Sequence, residues 1–225
     1  MLQQSAFAQS FVNLDFELAR FYVYPTPTNG FGSLNVDPAL ALSGWSVGNS
    51  TSGFTFVPYN NFTLGSPAVA LMGPNFPNAV GCSPLQGSYS VLLQYSSIPQ
   101  LGLPTLSQTG FVPAGAQSIS FLVGDFPEYF FGAGRLASDA AVSLNGMNIP
   151  LVPVSGGRLA GDISAFAGSV AQLTFSTSTS HAGDNFLYFD DIQFSSQPIP
   201  EPSGLALFGV GALLLGFFRR RNSSR

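Results

Sequence analysis

Lysine is absent from this 225-residue sequence, and histidine and cysteine occur once each, at His181 and Cys82. A single histidine excludes a histidine-based metal cage and nearly all histidine-dependent catalysis. A single cysteine excludes an internal disulfide framework, leaving Cys82 as a buried or loop thiol, or as a link to a partner. Charged residues make up only 8% of the chain, against roughly 25% in an ordinary soluble domain. Its surface must therefore be wetted by Ser, Thr, Asn and Gln. There is no His-Glu-x-x-His pattern and no phosphate-binding glycine loop, and no Gly-x-Ser-x-Gly elbow is expected. Carboxylate pairs for glycoside hydrolysis could in principle come from Asp125, Glu128, Asp139 or Asp184. Of these, Asp125-Phe126-Pro127-Glu128 and Asp184-Asn185 read as surface turns. The chain is expected not to be an enzyme.

What is present points to β structure. There are 22 phenylalanines, 25 glycines and 17 prolines, a composition suited to many short strands joined by tight turns. Gly plus Pro stays below the roughly 25–30% at which low-complexity disorder becomes the better reading. Short apolar runs recur over residues 11–16, 42–47, 68–71, 89–95, 106–111, 117–123, 141–144, 147–149, 173–176 and 186–194. Asn145-Gly146 between two of them is the strongest short hairpin signal. The run from Gly161 to Phe166 could make one helical turn capped by Asp162. No body window holds a helical period. About ten such strands call for two packed antiparallel sheets, a jelly-roll β-sandwich.

Charge is split along the chain. All eleven acidic residues lie between Asp15 and Glu201 with only Arg20, Arg135 and Arg158 beside them, whereas the last seven residues carry four arginines. An acidic body repels phosphate backbones, so no nucleic-acid partner is expected. Pro198-Ile199-Pro200-Glu201-Pro202-Ser203 cannot continue a strand, because three prolines lack amide donors. The next fifteen residues, Gly204 to Phe218, are uncharged. As a helix they would span roughly 22 Å, short of the roughly 30 Å hydrocarbon core unless arginines snorkel and the bilayer thins. Gly204, Leu205, Leu207, Phe208, Leu213, Leu214, Leu215, Phe217 and Phe218 supply its apolar surface. Arg219, Arg220 and Arg221 would hold its end in the cytoplasm with the body outside.

At the other terminus Ala6-Phe7-Ala8 has the small-x-small form of a signal-peptidase site, with no apolar stretch before it. Residues 1–8 are expected to be the remnant of a signal peptide whose start lies upstream. The expected organisation is then a β-sandwich ectodomain over 9–196, a Pro-Glu-Pro linker over 197–203, a transmembrane helix over 204–218 and a basic tail over 219–225.

Pro200-Glu201-Pro202-Ser203, the Gly-rich apolar run and the three arginines together resemble the PEP-CTERM sorting domain. That resemblance implies processing by an exosortase, a membrane transpeptidase-like cysteine protease of Gram-negative bacteria. It also implies transit through the inner membrane and delivery to the cell surface or extracellular matrix. Pro200, Glu201, Pro202 and Ser203 would be the sorting element. The body, through Asn13-Leu14-Asp15-Phe16-Glu17, Gly44-Trp45 and Tyr188 to Phe194, resembles the galactose-binding-like jelly rolls, which include many carbohydrate-binding modules. In that superfamily the first and last strands are neighbours and nearby acids often hold calcium, which by position implies Glu17 with Asp190 or Asp191. Along a regular strand Asp190 and Asp191 point to opposite faces, so only one could serve a given site. Trp45, Tyr59, Tyr22 and Tyr24 are candidate stacking platforms for a sugar, with Trp45 and Tyr59 foremost, although the alternation around Trp45 favours a core position. The expected function is a non-enzymatic envelope or matrix protein. Alternatives are a carbohydrate-binding module for exopolysaccharide with a structural calcium, and a glycoside hydrolase or lyase.

Overall fold

The computed structural model describes residues 9–21, 34–49, 52–61, 66–74, 83–95, 102–124, 140–177 and 185–199. They form an all-β sandwich with little helix. In chain order the elements are β1 (Leu34–Val36), α1 (Pro38–Ala41), β2 (Ser46–Asn49), β3 (Val57–Tyr59), β4 (Ala68–Met72), β5 (Ser90–Tyr95) and β6 (Pro104–Phe111). Then follow β7 (Ser118–Gly124), β8 (Ala140–Leu144), β9 (Met147–Asn148), β10 (Leu151–Val154), β11 (Arg158–Asp162), a 3-10 turn (Ser164–Phe166), β12 (Val170–Thr177) and β13 (Asn185–Ser195). One sheet has eight strands in the order β1-β3-β4-β5-β13-β7-β11-β10, and the other has five, β2-β6-β12-β8-β9. The strands pair antiparallel except β3 and β4, which meet in parallel at Tyr59 and Leu71.

The alternating strands behave as their pattern dictates. On β12, Ala171, Leu173 and Phe175 face inward while Val170 and Gln172 face solvent. Phe175 stacks on Phe189 of the opposite sheet at 4.7 Å, and Phe121 meets both rings edge-on. Each such aromatic pair adds about 0.5–1.5 kcal/mol beyond the area it buries. β4 and β5 are buried along their whole length, because the eight-stranded sheet is covered on its outer face too. There Ala70, Met72, Leu92, Phe186 and Tyr188 form a second apolar cluster under Leu85.

The Asn145-Gly146 hairpin is present, with both residues at positive φ, joining β8 to β9. The turn at residues 164–166 is present as well, and Asp162 Oδ1 accepts the Ser164 amide at 2.8 Å. Two expectations change. Residues 11–16 are not a strand: Asn13 and Phe16 adopt left-handed φ of 52° and 58°, and only Ser10 bridges to Phe111. The segment instead crosses between the sheets, placing Phe16 fully inside the core. Residues 42–47 are likewise split between the turn after α1 and the start of β2.

Strand register gives the sandwich two ends. Phe111 aligns with Val170, and Ser118 with both Asp162 and Ser195, at one end. Ala68 aligns with Gln94, and Gln94 with Phe186, at the other.

Candidate functional site

The acidic residues singled out in the sequence sit around the outer face of β13, where its regular pairing breaks. The register against β7 shifts between Asp190 and Gln193, and Asp191 takes a left-handed φ of 46°. This bulge cancels the alternation expected of a strand. Both carboxylates turn to the outer face, toward different partners.

Asp190 is buried beneath the segment from Ser83 to Tyr89. Its Oδ2 accepts the Ser90 hydroxyl at 2.7 Å and the Gln86 amide at 3.0 Å, and its Oδ1 accepts the Asp191 amide at 2.6 Å. Burial pushes its pKa up to about 6, against the pull of those hydrogen bonds, and the nearby charge of Glu17 pushes the same way. Glu17 Oε1 accepts the amides of Ser88 and Tyr89 at 2.7 and 3.0 Å. Tyr188 donates its hydroxyl to the Ser83 carbonyl at 2.7 Å. The carboxylates therefore clasp a covering loop by its backbone amides. Asp191 faces Arg158 and Gln193 instead. Among the described residues no three His, Cys, Asp or Glu side chains gather into one group.

The foremost aromatic candidates are interior. Trp45 is 5% exposed, donates Nε1 to the Asn13 carbonyl at 2.9 Å and packs against Phe16 and Phe175. Tyr59 is 8% exposed and lies edge-on to Phe21. Burial, with Tyr89 beside it, raises its pKa. Neither ring can offer a free face to a ligand. Asn60, next to Tyr59, accepts the Gly73 amide at 2.7 Å and donates to the Pro74 carbonyl at 3.1 Å.

What the sequence reading misses is a surface cleft of about 330 Å³ lined by Gly53, Phe54, Thr55, Phe56, Pro58 and Ser66, continuing over Pro67 to Val69. It carries no charged side chain. Phe56, at 45% exposed, is the large exposed ring in its wall. Phe54, Phe56 and Pro67 fell outside every apolar run, so periodicity gave no signal for them. The Gly-x-Ser-x-Gly spelling, expected to be absent, is present at Gly44-Trp45-Ser46-Val47-Gly48. A nucleophile elbow needs its serine on a strand-to-helix turn. Ser46 instead begins β2, paired with Ser107 of β6, so the spelling carries no elbow.

The sorting element, the apolar run 204–218 and the terminal arginines lie outside the described residues, as do Asp125, Glu128, Asp139, Asp184, Tyr22, Tyr24 and residues 1–8. Among the described residues no helix is long and apolar enough to cross a membrane. The last described strand ends at Ser195, and Gln197 is still held to the body by the Ser118 hydroxyl at 2.7 Å. Directly behind that clamp a family model matches. Residues 198–222 are a PEP-CTERM protein-sorting motif. This motif takes in the Pro-Glu-Pro, the apolar run and the arginine cluster.

No curated protein is similar enough to the chain to count as a relative. Among solved structures the chain is similar to TmCBM61 in complex with β-1,4-galactotriose, at 15% identity and a TM-score of 0.37, covering 84% of this chain and 99% of that one. It is also similar to the Stig cyclase Fisc from Fischerella sp. TAU, at 11% identity and a TM-score of 0.49, covering 86% and 98%. Likeness at these levels carries neither protein's activity to this chain.

Proposed function

We propose that the chain is an exported, non-enzymatic protein of the cell envelope or extracellular polysaccharide matrix, displayed outside the cytoplasm and sorted through its tail. The observation that carries this is the PEP-CTERM motif at residues 198–222, beginning one residue after the clamp on Gln197. Exosortase is the implied partner, with Pro200, Glu201, Pro202 and Ser203 as its recognition element. Residues 204–218 then enter the membrane as a helix, and Arg219, Arg220 and Arg221 remain cytoplasmic. The body is a galactose-binding-like jelly roll. In support, the first segment lies beside the last strand, with Ile192 donating to the Leu14 carbonyl at 2.9 Å and Phe11 stacked on Phe194.

The test is expression, with a complete signal peptide in place of residues 1–8, in a Gram-negative host that has an exosortase. Replacing Pro200, Glu201 and Pro202 together by alanine should hold the chain in the inner membrane, while the unaltered chain reaches the surface or medium. Equal distribution of the two would remove exosortase from the account.

A second reading, a carbohydrate-binding role for the body, is favoured by the cleft. An exposed phenyl ring between hydroxyl-bearing Thr55 and Ser66 suits a neutral sugar, whose C–H face stacks on an aromatic ring. Phe56 takes the place that Trp45 and Tyr59 cannot fill. Glycan-array binding lost on Phe56→Ala would support it, and binding unaffected by that change would remove the cleft as the site.

A further inference from the structure

The register of the sheets gives the body an orientation relative to its tail. The Ser195 end is built from residues 9–12, 112–117, 145–150, 163–170 and 195–199. Phe111 donates to the Gln9 carbonyl, Val112 to Ser169, Gln117 to Ser195, and Ile163 to Gln117. The hairpin turn reaches this end as well, where Asn145 and Gln172 bond through two contacts of 2.8 and 2.9 Å. These five segments contain no charged residue. Asp162, at their edge, caps the 3-10 turn. The segments expose Pro113, Ala114, Pro150 and Ala165, and with them three large apolar side chains, Met147 at 63%, Val170 at 51% and Val12 at 36%. Apolar side chains at the tips of turns, with no charge among them, can enter a headgroup layer without burying a charge.

The tail leaves from this same end. From Gln197, held by Ser118, the chain to Gly204 covers at most about 25 Å when fully extended. The headgroup layer itself takes roughly 5–8 Å of that distance. A body so tethered cannot turn its Phe186 end to the membrane, because β13 from Phe186 to Ser195 is about 30 Å long.

We infer that the Ser195 end, whose one carboxylate is Asp162 at its edge, is a lipid-facing surface, resting on the headgroup layer of the bilayer that the tail enters. Its turns meet the interface through Met147 and Val170, and the cleft with Phe56 points away from the membrane. With charge confined to Asp162 at its edge, this surface carries less of the desolvation cost that keeps most protein surfaces off a bilayer. The inference rests on the reading of residues 204–218 as a membrane segment, and the test separates the two.

Full-length protein carrying Cys82→Ser, with single labelling sites from Met147→Cys, Val170→Cys, Phe56→Cys or Leu213→Cys, is reconstituted in phosphatidylethanolamine–phosphatidylglycerol vesicles. An environment-sensitive fluorophore at each site is challenged with lipids bearing a nitroxide in the headgroup or in the acyl chain. Headgroup nitroxide should quench the Met147 and Val170 sites several-fold more than the Phe56 site, and acyl nitroxide should quench the Leu213 site. Quenching at Leu213 with no difference between Met147, Val170 and Phe56 would overturn the lipid-facing surface alone. No quenching at Leu213 would overturn the membrane segment and the inference with it. Protection of Met147 and Val170 only when exosortase is co-reconstituted would overturn lipid as the occupant in favour of the enzyme.

Discussion

Arg158 on β11 holds the backbone as well as the side chain of Asp191, across the width of β7. Its Nη1 lies 2.7 Å from Asp191 Oδ2 and its Nη2 donates to the Asp191 carbonyl at 2.5 Å, while Nε bonds the Ser120 hydroxyl at 3.2 Å. Asp191 is the left-handed residue of the β13 bulge, so the guanidinium fixes a backbone conformation that an L-residue otherwise disfavours. Arg158→Ala should destabilise the body by about 2 kcal/mol, since it leaves a mostly buried carboxylate without its cation. Arg158→Lys should recover less than half of this, because an ammonium cannot reproduce the fork. Urea unfolding followed by Trp45 fluorescence measures both. Equal stability of all three proteins would show that the bulge holds itself.

Asp190 should make the body more stable in mild acid. Its pKa rises on folding from the ordinary 3.8 to about 6, so the folded state binds the proton more tightly than the unfolded one. Its contribution is complete below about 3.8 and is lost as pH rises through about 6. Asp162 has the opposite sign: the Ser164 amide lowers its pKa, so its contribution is lost only as pH falls below the ordinary carboxylate range. The urea midpoint should therefore rise from pH 7 to pH 5, and Asp190→Asn should flatten that slope. A midpoint that falls over this window, equally in both proteins, would contradict the assignment.

Glu17 Oε1 and both oxygens of Asp190 already accept N–H or O–H donors, which leaves few oxygens for calcium, a cation that takes six to eight. Calcium or a chelator should leave the melting temperature unchanged. A rise of several degrees with millimolar calcium would mean that the clasp rearranges around an ion.

Gly87 is the hinge of the same clasp. It has φ +58°, and a Cβ there would come within 2.4 Å of Glu17 Oε1. Gly87→Ala should cost about 1–2 kcal/mol and expose the apolar cluster under Leu85. Glu17→Ala should relieve part of this penalty, so a double-mutant cycle reads the coupling. Strict additivity would show the two residues to be independent.

The sheets were legible because their strands alternate or run continuously apolar. Residues 173–176 and 186–194 fall inside observed strands, as do all of 117–123 but Gln117, and Asn145-Gly146 could be read from its own turn chemistry. β3 and β10 were not legible: Pro58 and Pro153 interrupt them, and proline argues against a strand unless the strand lies at an edge, as β10 does. β11, Arg-Leu-Ala-Gly-Asp, is too short and polar to stand out. Residues 11–16 carry a strand-like spacing, yet Asn13 and Phe16 take left-handed backbone to thread Phe16 between the sheets, a choice made by tertiary packing. The bulge escaped notice for the same reason. Nothing in Asp190-Asp191 announces it, because Arg158, more than thirty residues earlier, holds it in place.

The most direct test of the account is where the full-length chain partitions when its tail is intact. In a Gram-negative host lacking exosortase, the chain with a complete signal peptide in place of residues 1–8 should stay in the membrane pellet after carbonate extraction. Its β-sandwich should be open to protease only from the periplasmic side, and removal of residues 198–225 should free it. Recovery of the intact chain in the soluble cytoplasmic fraction, protected from periplasmic protease, would contradict it.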